Sequence, residues 1–398
     1  MADNKRIKKH GGMIMKTIPY GRQCIDENDI KEVIKVLRSD CITQGPRIKE
    51  FENALCNYTG ARYAVAVSSG TAALHIACLA AGIGKNDEVI TSPITFAASA
   101  NCVLYCGGKP VFADIQMDTV NIDPQEIERK ITKRTKAIIP VHFAGHPCDL
   151  KEIRDIAKKH NLIIVEDAAH ALGAEYRGVK IGSCKYSDMV TLSFHPVKHI
   201  TTGEGGAVLT NRKDIYEKLL MLRNHGITKE KYLYKPDGDW YYEMQNLGFN
   251  YRITDFQCAL GLSQIKKLEQ FINKRKEIAD FYNQNLSKIL EIKLPVERPY
   301  VESSNHLYYI RVKDHGKRRN IFEKMKALGL GVQVHYIPVY WHPYYKQLGY
   351  KRGVCPKAEE FYQQVISIPL YPRLSQKERE YIKNVVCRLF KTSIGKRC

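Results

Sequence analysis

Seven short apolar runs lie between Ala64 and Leu209, each separated from the next by a longer mixed segment. They are Ala64-Val65-Ala66-Val67, Val89-Ile90, Pro110–Asp114, Ala137–Val141, Leu162–Asp167, Met189–Phe194 and Ala207-Val208-Leu209. Helical segments fall between most of them: Thr71–Ala81, Ala97–Cys106, Pro124–Ile131 and Asp149–His160. Strands that alternate with helices make a mostly parallel sheet, because a parallel neighbour needs a crossover and a helix supplies it. The fold class expected is therefore α/β, a mostly parallel central sheet flanked by helices. Ligands of such sheets bind beyond the carboxyl ends of the strands.

The flanks complete this plan. Ile30, Val33, Ile34 and Leu37 recur at helical spacing after the capping stretch Ile25–Asp29, and a turn, Thr43–Pro46, leads into a helix from Arg47 to about Tyr58. A helix at Lys213–Arg223 is followed by a polar, aromatic segment, Gly226–Met244, read as a mobile loop. A long charged helix is expected from Thr254 to about Leu290, bridging two domains. Beyond it, strand Leu307–Val312, helix Ile321–Ala327 and strand Val332–Tyr336 suit a smaller C-terminal α/β domain. The division expected is a weakly ordered extension at 1–17, a large domain at 18–265 and a small domain at 266–398.

Composition narrows the function. The net charge of +20 raises nucleic-acid binding, but Lys and Arg are dispersed over helices such as Lys266–Lys276, and no nucleic-acid-binding signature accompanies them. No apolar run is long enough to span a membrane, and the basic segment Met1–Lys16 lacks the apolar core of a secretory signal. The twelve cysteines are scattered and show no zinc spacing, and Cys102 and Cys106 sit four apart in an apolar helix. Reduced thiols in a cytoplasmic enzyme are expected, with no metal role for His142, His146 or His170.

Three stretches carry chemistry. Lys198 lies on the polar, Gly-rich loop Ser193–Gly206 between two strands. By itself such a lysine reads as a surface residue, but Asp167 ends the run Leu162–Val165 and projects from the carboxyl end of a probable parallel strand. A lysine that forms an imine and a carboxylate that pairs with a pyridinium nitrogen are the two groups pyridoxal phosphate most needs. The third is a strand, a Gly turn and a helix start at Ser68-Ser69-Gly70-Thr71, the arrangement whose free N–H groups hold a phosphate.

These stretches, with Glu166-Asp167-Ala168-Ala169-His170, resemble the fold-type-I aminotransferases that act on nucleotide-linked keto sugars, the DegT/DnrJ/EryC1/StrS family. The resemblance runs from about Ile18 to about Pro372, and the His-Pro-Val-Lys loop looks most like the UDP-4-amino-sugar transaminases of the pseudaminic acid pathway. It implies pyridoxal 5'-phosphate held by Gly70, Thr71, Phe96, Asp167, His170, Ser193 and Lys198. Phe96 would stack on the ring and His170 would meet its phenolic oxygen. Asn250, in Gly248–Arg252, would reach the phosphate of a neighbouring subunit, making a homodimer with shared sites. Lys198 and Asp167 would be catalytic. Tyr20, His195, Tyr251 and Arg252 would meet the substrate, with the His142–Gly145 loop near the sugar. His335, Tyr336 and the cluster Tyr340–Tyr345 read either as sugar or nucleotide contacts or as packing under a loop.

The resemblance further implies L-glutamate as donor and C4 of a nucleotide-linked 4-keto-6-deoxy hexose, a UDP-linked 2-acetamido sugar, as acceptor. The product would be an amino sugar for surface glycans. Amination at C3 of a dTDP- or GDP-linked sugar is the alternative, as is a non-catalytic regulator on the same fold. Relatives that dehydrate carry His where this chain has Lys198, and a regulator would need an added DNA-binding domain for which this length leaves no room.

Overall fold

All seven runs become strands of one sheet in the computed structural model, which describes residues 17–390. In chain order they are β1 (Tyr63–Val67), β2 (Glu88–Thr91), β3 (Lys109–Phe112), β4 (Thr135–Ile139), β5 (Ile163–Asp167), β6 (Met189–Ser193) and β7 (Gly206–Thr210). The spatial order is β1-β7-β6-β5-β4-β2-β3. Only β7 runs antiparallel to its neighbours. The expected mostly parallel sheet is present, and six strands deliver their carboxyl ends to one edge.

Alternate residues of each strand face opposite sides, so both faces are apolar. Ile90, Ile138, Ile164 and Leu192 pack on one side with Phe51 and Leu55. Val89, Ile139, Val165 and Val208 pack on the other with Ile76 and Val103. A separate antiparallel sheet joins Ile292–Lys293, Tyr308–Val312 and Val365–Ile368 over a core containing Ile278, Tyr282 and Val386. Ile18 belongs to this core and bridges to Leu330. Of the expected N-terminal extension, residues 1–16 lie outside the described residues.

Three expectations need correction. The long helix from Thr254 is two helices, Asp255–Ile265 and Leu268–Leu286. The first opens with a capping box between Thr254 and Gln257, and the chain turns at Lys266–Lys267. There Lys267 Nζ reaches Asp29 Oδ2 at 2.7 Å and Asp26 Oδ2 at 2.8 Å, which pins the turn to the start of helix Glu27–Leu37. The strand expected at Val332–Tyr336 shrinks to one bridge between Gln333 and Ser367, because the following residues turn toward the cavity described below. The segment Gly226–Met244 contains a short ladder, Ile227–Thr228 against Glu243–Met244. The buried Glu243 carboxylate organises it by accepting from the amides of Leu233 and Tyr234 and from Gln245 and the Tyr241 hydroxyl.

Asp29 is fully buried and accepts from Lys267, Gln264 and the Asp26 amide. Replacing Lys267 by Met strands that buried charge, at an expected cost of about 3 kcal/mol. A fall of the urea midpoint with unchanged slope is the expected readout. Asp29→Asn combined with Lys267→Met should recover part of the loss.

Candidate active site

The carboxyl edge of the sheet opens into a cavity of about 500 Å³. Its floor is built from the ends of β5 and β6, with Asp167, Thr191 and Ser193 all lining it. Lys198 enters from the β6–β7 loop. That loop is anchored by Phe194, whose side chain is fully buried and whose carbonyl accepts from the Thr202 amide at 3.0 Å and the Thr201 hydroxyl at 2.9 Å. Gly203 takes the left-handed conformation that the return to β7 requires (φ 81°).

The turn after β1 forms the opposite wall. Ser69 caps the helix Gly70–Ala80 by accepting from the Ala72 amide at 3.0 Å, which leaves the amides of Gly70 and Thr71 free of the helix ladder. A Cβ added at Gly70 would meet Ser193 Cβ at 2.8 Å, so only glycine lets β6 pass this close. A phosphate-sized cradle with a helix N-terminus results.

Asp167 is 5% exposed and fully hydrogen-bonded: Ser99 Oγ donates to Oδ2 at 2.6 Å, and the Ala169 amide donates to Oδ1 at 3.1 Å. Phe96 lines the cavity too and is 65% exposed, so it presents an apolar aromatic surface there.

Burial sets the electrostatics. Loss of hydration pushes the Lys198 amine down to about 8; the Asp167 charge opposes that shift and the buried Arg275 reinforces it. His170, His199 and His306 form a stack behind the lysine, with ring centroids 4.2 Å apart for His170–His306 and 5.3 Å for His199–His306. Burial first, and neighbouring positive charge second, holds all three well below the ordinary imidazole range. Arg275 is 1% exposed and donates to the carbonyls of Asn305, His306 and Leu370.

The cavity gathers Gly70, Thr71, Phe96, Asp167, His170, Ser193 and Lys198 from the cofactor set, and Tyr20, His195, His335 and Tyr336 from the substrate set. Tyr336 Oη lies 3.2 Å from His170 Nε2, and His335 Nδ1 lies 2.9 Å from Ser367 Oγ. Asn250, Tyr251 and Arg252 do not line this cavity. Asn250 is exposed, the Tyr251 hydroxyl bonds His75 at 3.1 Å, and Arg252 donates to Asn224. Tyr340 and Tyr345 pack around Phe112 instead of facing the cavity.

Sequence reasoning did not find Ser99, Thr95 or Arg275. Arg275 carried a signal, since it occupies the buried helical stripe of Ile272, Ile278 and Tyr282. Thr95 and Ser99 carried no such signal: Thr95 precedes the helix Ala98–Tyr105, and only the fold brings the two hydroxyls together.

A buried lysine of lowered basicity, a hydrogen-bonded carboxylate, an exposed aromatic face and a glycine-lined helix start together fit pyridoxal phosphate. Residues 23–387 match the DegT/DnrJ/EryC1/StrS aminotransferase family, and the chain belongs to it. A UDP-4-amino-4,6-dideoxy-N-acetyl-beta-L-altrosamine transaminase of Campylobacter jejuni is 40% identical over 375 residues, 93% of this chain and 96% of that one. The solved structure of Helicobacter pylori PseC, an aminotransferase involved in the biosynthesis of pseudoaminic acid, superposes with a TM-score of 0.88 at 36% identity, covering 95% of this chain and all of that one. A Streptococcus pneumoniae relative solved in its PLP form gives the same TM-score, 0.88, at 33% identity over 95% of this chain and 100% of that one.

The histidine stack predicts an acid-labile cofactor-free protein. Each buried histidine is neutral in the fold, whereas in the unfolded chain it takes up a proton below about pH 6.5. Stability is therefore lost as pH falls from that point, by about 1.4 kcal/mol per pH unit for each such histidine. His306→Gln should flatten the slope between pH 6.5 and 5 by about one proton, measured from urea midpoints across that range.

Proposed function

We propose that this chain is a pyridoxal-phosphate-dependent enzyme that moves the amino group of L-glutamate to C4 of a nucleotide-linked 4-keto-6-deoxy hexose. The acceptor we favour is a UDP-linked 2-acetamido sugar, and the product an amino sugar for surface glycans made in the cytoplasm. The observation that carries this reading is the meeting of Lys198, Asp167 and the Gly70–Thr71 helix start in one cavity. The Campylobacter relative, named as the transaminase of a UDP-linked 4-amino-4,6-dideoxy sugar, supports this reading, since such a sugar is the product expected from that acceptor.

Pyridoxal phosphate supplies a carbonyl that captures an amine and a ring that accepts electrons from the donor's Cα–H bond. The chain's residues do the rest. The Gly70 and Thr71 amides, with Ser193, bind the phosphate. Phe96 would cover one ring face, and His170 would meet the phenolic oxygen. Asp167 keeps a proton on the ring nitrogen. Lys198 anchors the cofactor and, once released, moves the proton from the donor Cα, a task its basicity near pH 8 suits. Tyr20, His195, His335 and Tyr336 orient the sugar nucleotide. Asn250, Tyr251 and Arg252 serve the neighbouring subunit's site in a homodimer. We assign the cofactor unit to 18–265 and the smaller unit to 266–398, with Ile18 reaching across to pack in the second core.

Borohydride reduction of the loaded protein, followed by peptide mapping, should place the pyridoxyl group on Lys198; a label on any other lysine would overturn the assignment. Asp167→Asn keeps the shape and removes the charge, so half-reaction rates with L-glutamate should fall by orders of magnitude while cofactor affinity falls less. A panel of UDP-, GDP- and dTDP-linked keto sugars, with the aminated carbon located by NMR, tests the acceptor.

The shared site is tested by mixing Lys198→Ala and Asn250→Ala chains under conditions of subunit exchange. About half the dimers become mixed, and roughly a quarter of all sites then pair an intact Lys198 with the partner's intact Asn250. Activity rising above the average of the two mutants is expected. Activity that stays at that average, with exchange verified by differently tagged chains, places Asn250 within its own subunit's site.

A further inference from the structure

Asp167 is held by a chain of two hydroxyls with no part in the roles given above. Ser99 Oγ lies 2.6 Å from Asp167 Oδ2, and Thr95 Oγ1 lies 2.6 Å from Ser99 Oγ. A serine has one proton to donate and a carboxylate has none, so the direction is fixed. Ser99 donates to Asp167, and Thr95 donates to Ser99. The Phe96 carbonyl, 3.3 Å from Ser99 Oγ, is the more distant acceptor for the same proton. Both hydroxyl dipoles then point at the carboxylate.

The three residues are 3%, 1% and 5% exposed, so the dipoles act where the local dielectric is low and hydrogen bonds polarise one another. Their placement follows from the bend after β2, which holds Thr95, and the first turn of the helix Ala98–Tyr105, which holds Ser99. Thr95, Phe96 and Ser99 all line the cavity, the two hydroxyl residues buried and Phe96 exposed. One segment thus delivers a ring-stacking face and the support for the carboxylate.

We propose that Ser99 and Thr95 are positioning residues for amino transfer: they fix the Asp167 carboxylate and stabilise its charge, so that the proton shared with the cofactor's ring nitrogen stays on the nitrogen. This rests on the pairing of Asp167 with that nitrogen in the function proposed above. Without the hydroxyls the carboxylate becomes the better resting place for the proton, and the ring becomes a weaker electron acceptor.

The test uses the full-length protein loaded with pyridoxal phosphate carrying 15N in its ring. In the wild type the nitrogen resonance should lie at the protonated position. Ser99→Ala should move it toward the unprotonated position and slow the amino-donor half-reaction about tenfold, the scale of one charge-assisted hydrogen bond. Thr95→Val, which keeps the shape and removes the far hydroxyl, should move it the same way by less. Thr95→Ser should behave as wild type. A Ser99→Ala protein with a lowered melting temperature but an unmoved resonance has lost only packing, and that result overturns the proposal. So does Thr95→Ser moving as far as Thr95→Val. Asp167→Asn separates the two layers of argument. If it shifts the resonance and Ser99→Ala does not, the relay alone is wrong. If neither shifts it, the pairing of Asp167 with the ring is wrong and the relay falls with it.

Discussion

Burial at the carboxyl edge of β5 and β6 strips any charged side chain of its hydration, and the site's arrangement follows from how each group meets that loss. Asp167 meets it with hydrogen bonds, one from a backbone amide and one from a hydroxyl. Lys198 meets it by becoming less basic, which leaves the amine usable near neutral pH. The histidines behind it meet it by staying neutral and stacking on one another. Among the described residues Arg275 has no carboxylate as a hydrogen-bond partner and is held by three backbone carbonyls. Its charge stays in the interior and faces the lysine, so the packing of the second sheet reaches the chemistry of the first.

The same edge explains why the parallel sheet and the site cannot be separated. Six strands aim their carboxyl ends one way, and the only antiparallel strand, β7, exists because the Lys198 loop turns straight back from β6. A crossover helix at that point would carry the lysine away from Asp167. The short return is bought with glycines: Gly203 at positive φ, Gly205 where a Cβ would meet Thr202 Oγ1 at 2.2 Å, and Gly206 where it would meet the Ser69 carbonyl at 2.4 Å. The Gly-rich composition of the loop is thus a packing requirement as well as a mark of function.

Much of this was legible in the sequence because it sits at boundaries. Asp167, Gly70 and Lys198 each follow an apolar run, and the ends of such runs share one edge in a parallel sheet. The runs themselves were plain because both faces are buried, so apolar residues dominate their centres. The break at Lys266–Lys267 was hidden because its cause is tertiary: the lysine pairs with Asp26 and Asp29, more than two hundred residues away. The cluster Tyr340–Tyr345 could be read as sugar contacts or as packing, and Tyr340 and Tyr345 pack around Phe112, since composition does not tell a wet aromatic cluster from a dry one.

Ser99 and Thr95 were hidden for a different reason. Small hydroxyl residues in a helix usually bond their own backbone, and nothing local separates that use from a bond to a distant carboxylate. The distinction lies in competition for one proton. Ser99 Oγ has the Phe96 carbonyl at 3.3 Å and Asp167 at 2.6 Å, and the charged, nearer acceptor takes the proton. The hydroxyl is thereby withdrawn from its own helix and given to the sheet, and Thr95 follows because Ser99 then has only a lone pair to offer. The carboxylate orders the turn that in turn holds it, so Phe96, which lies between the two hydroxyl residues in the chain, is held by the same bonds that hold Asp167.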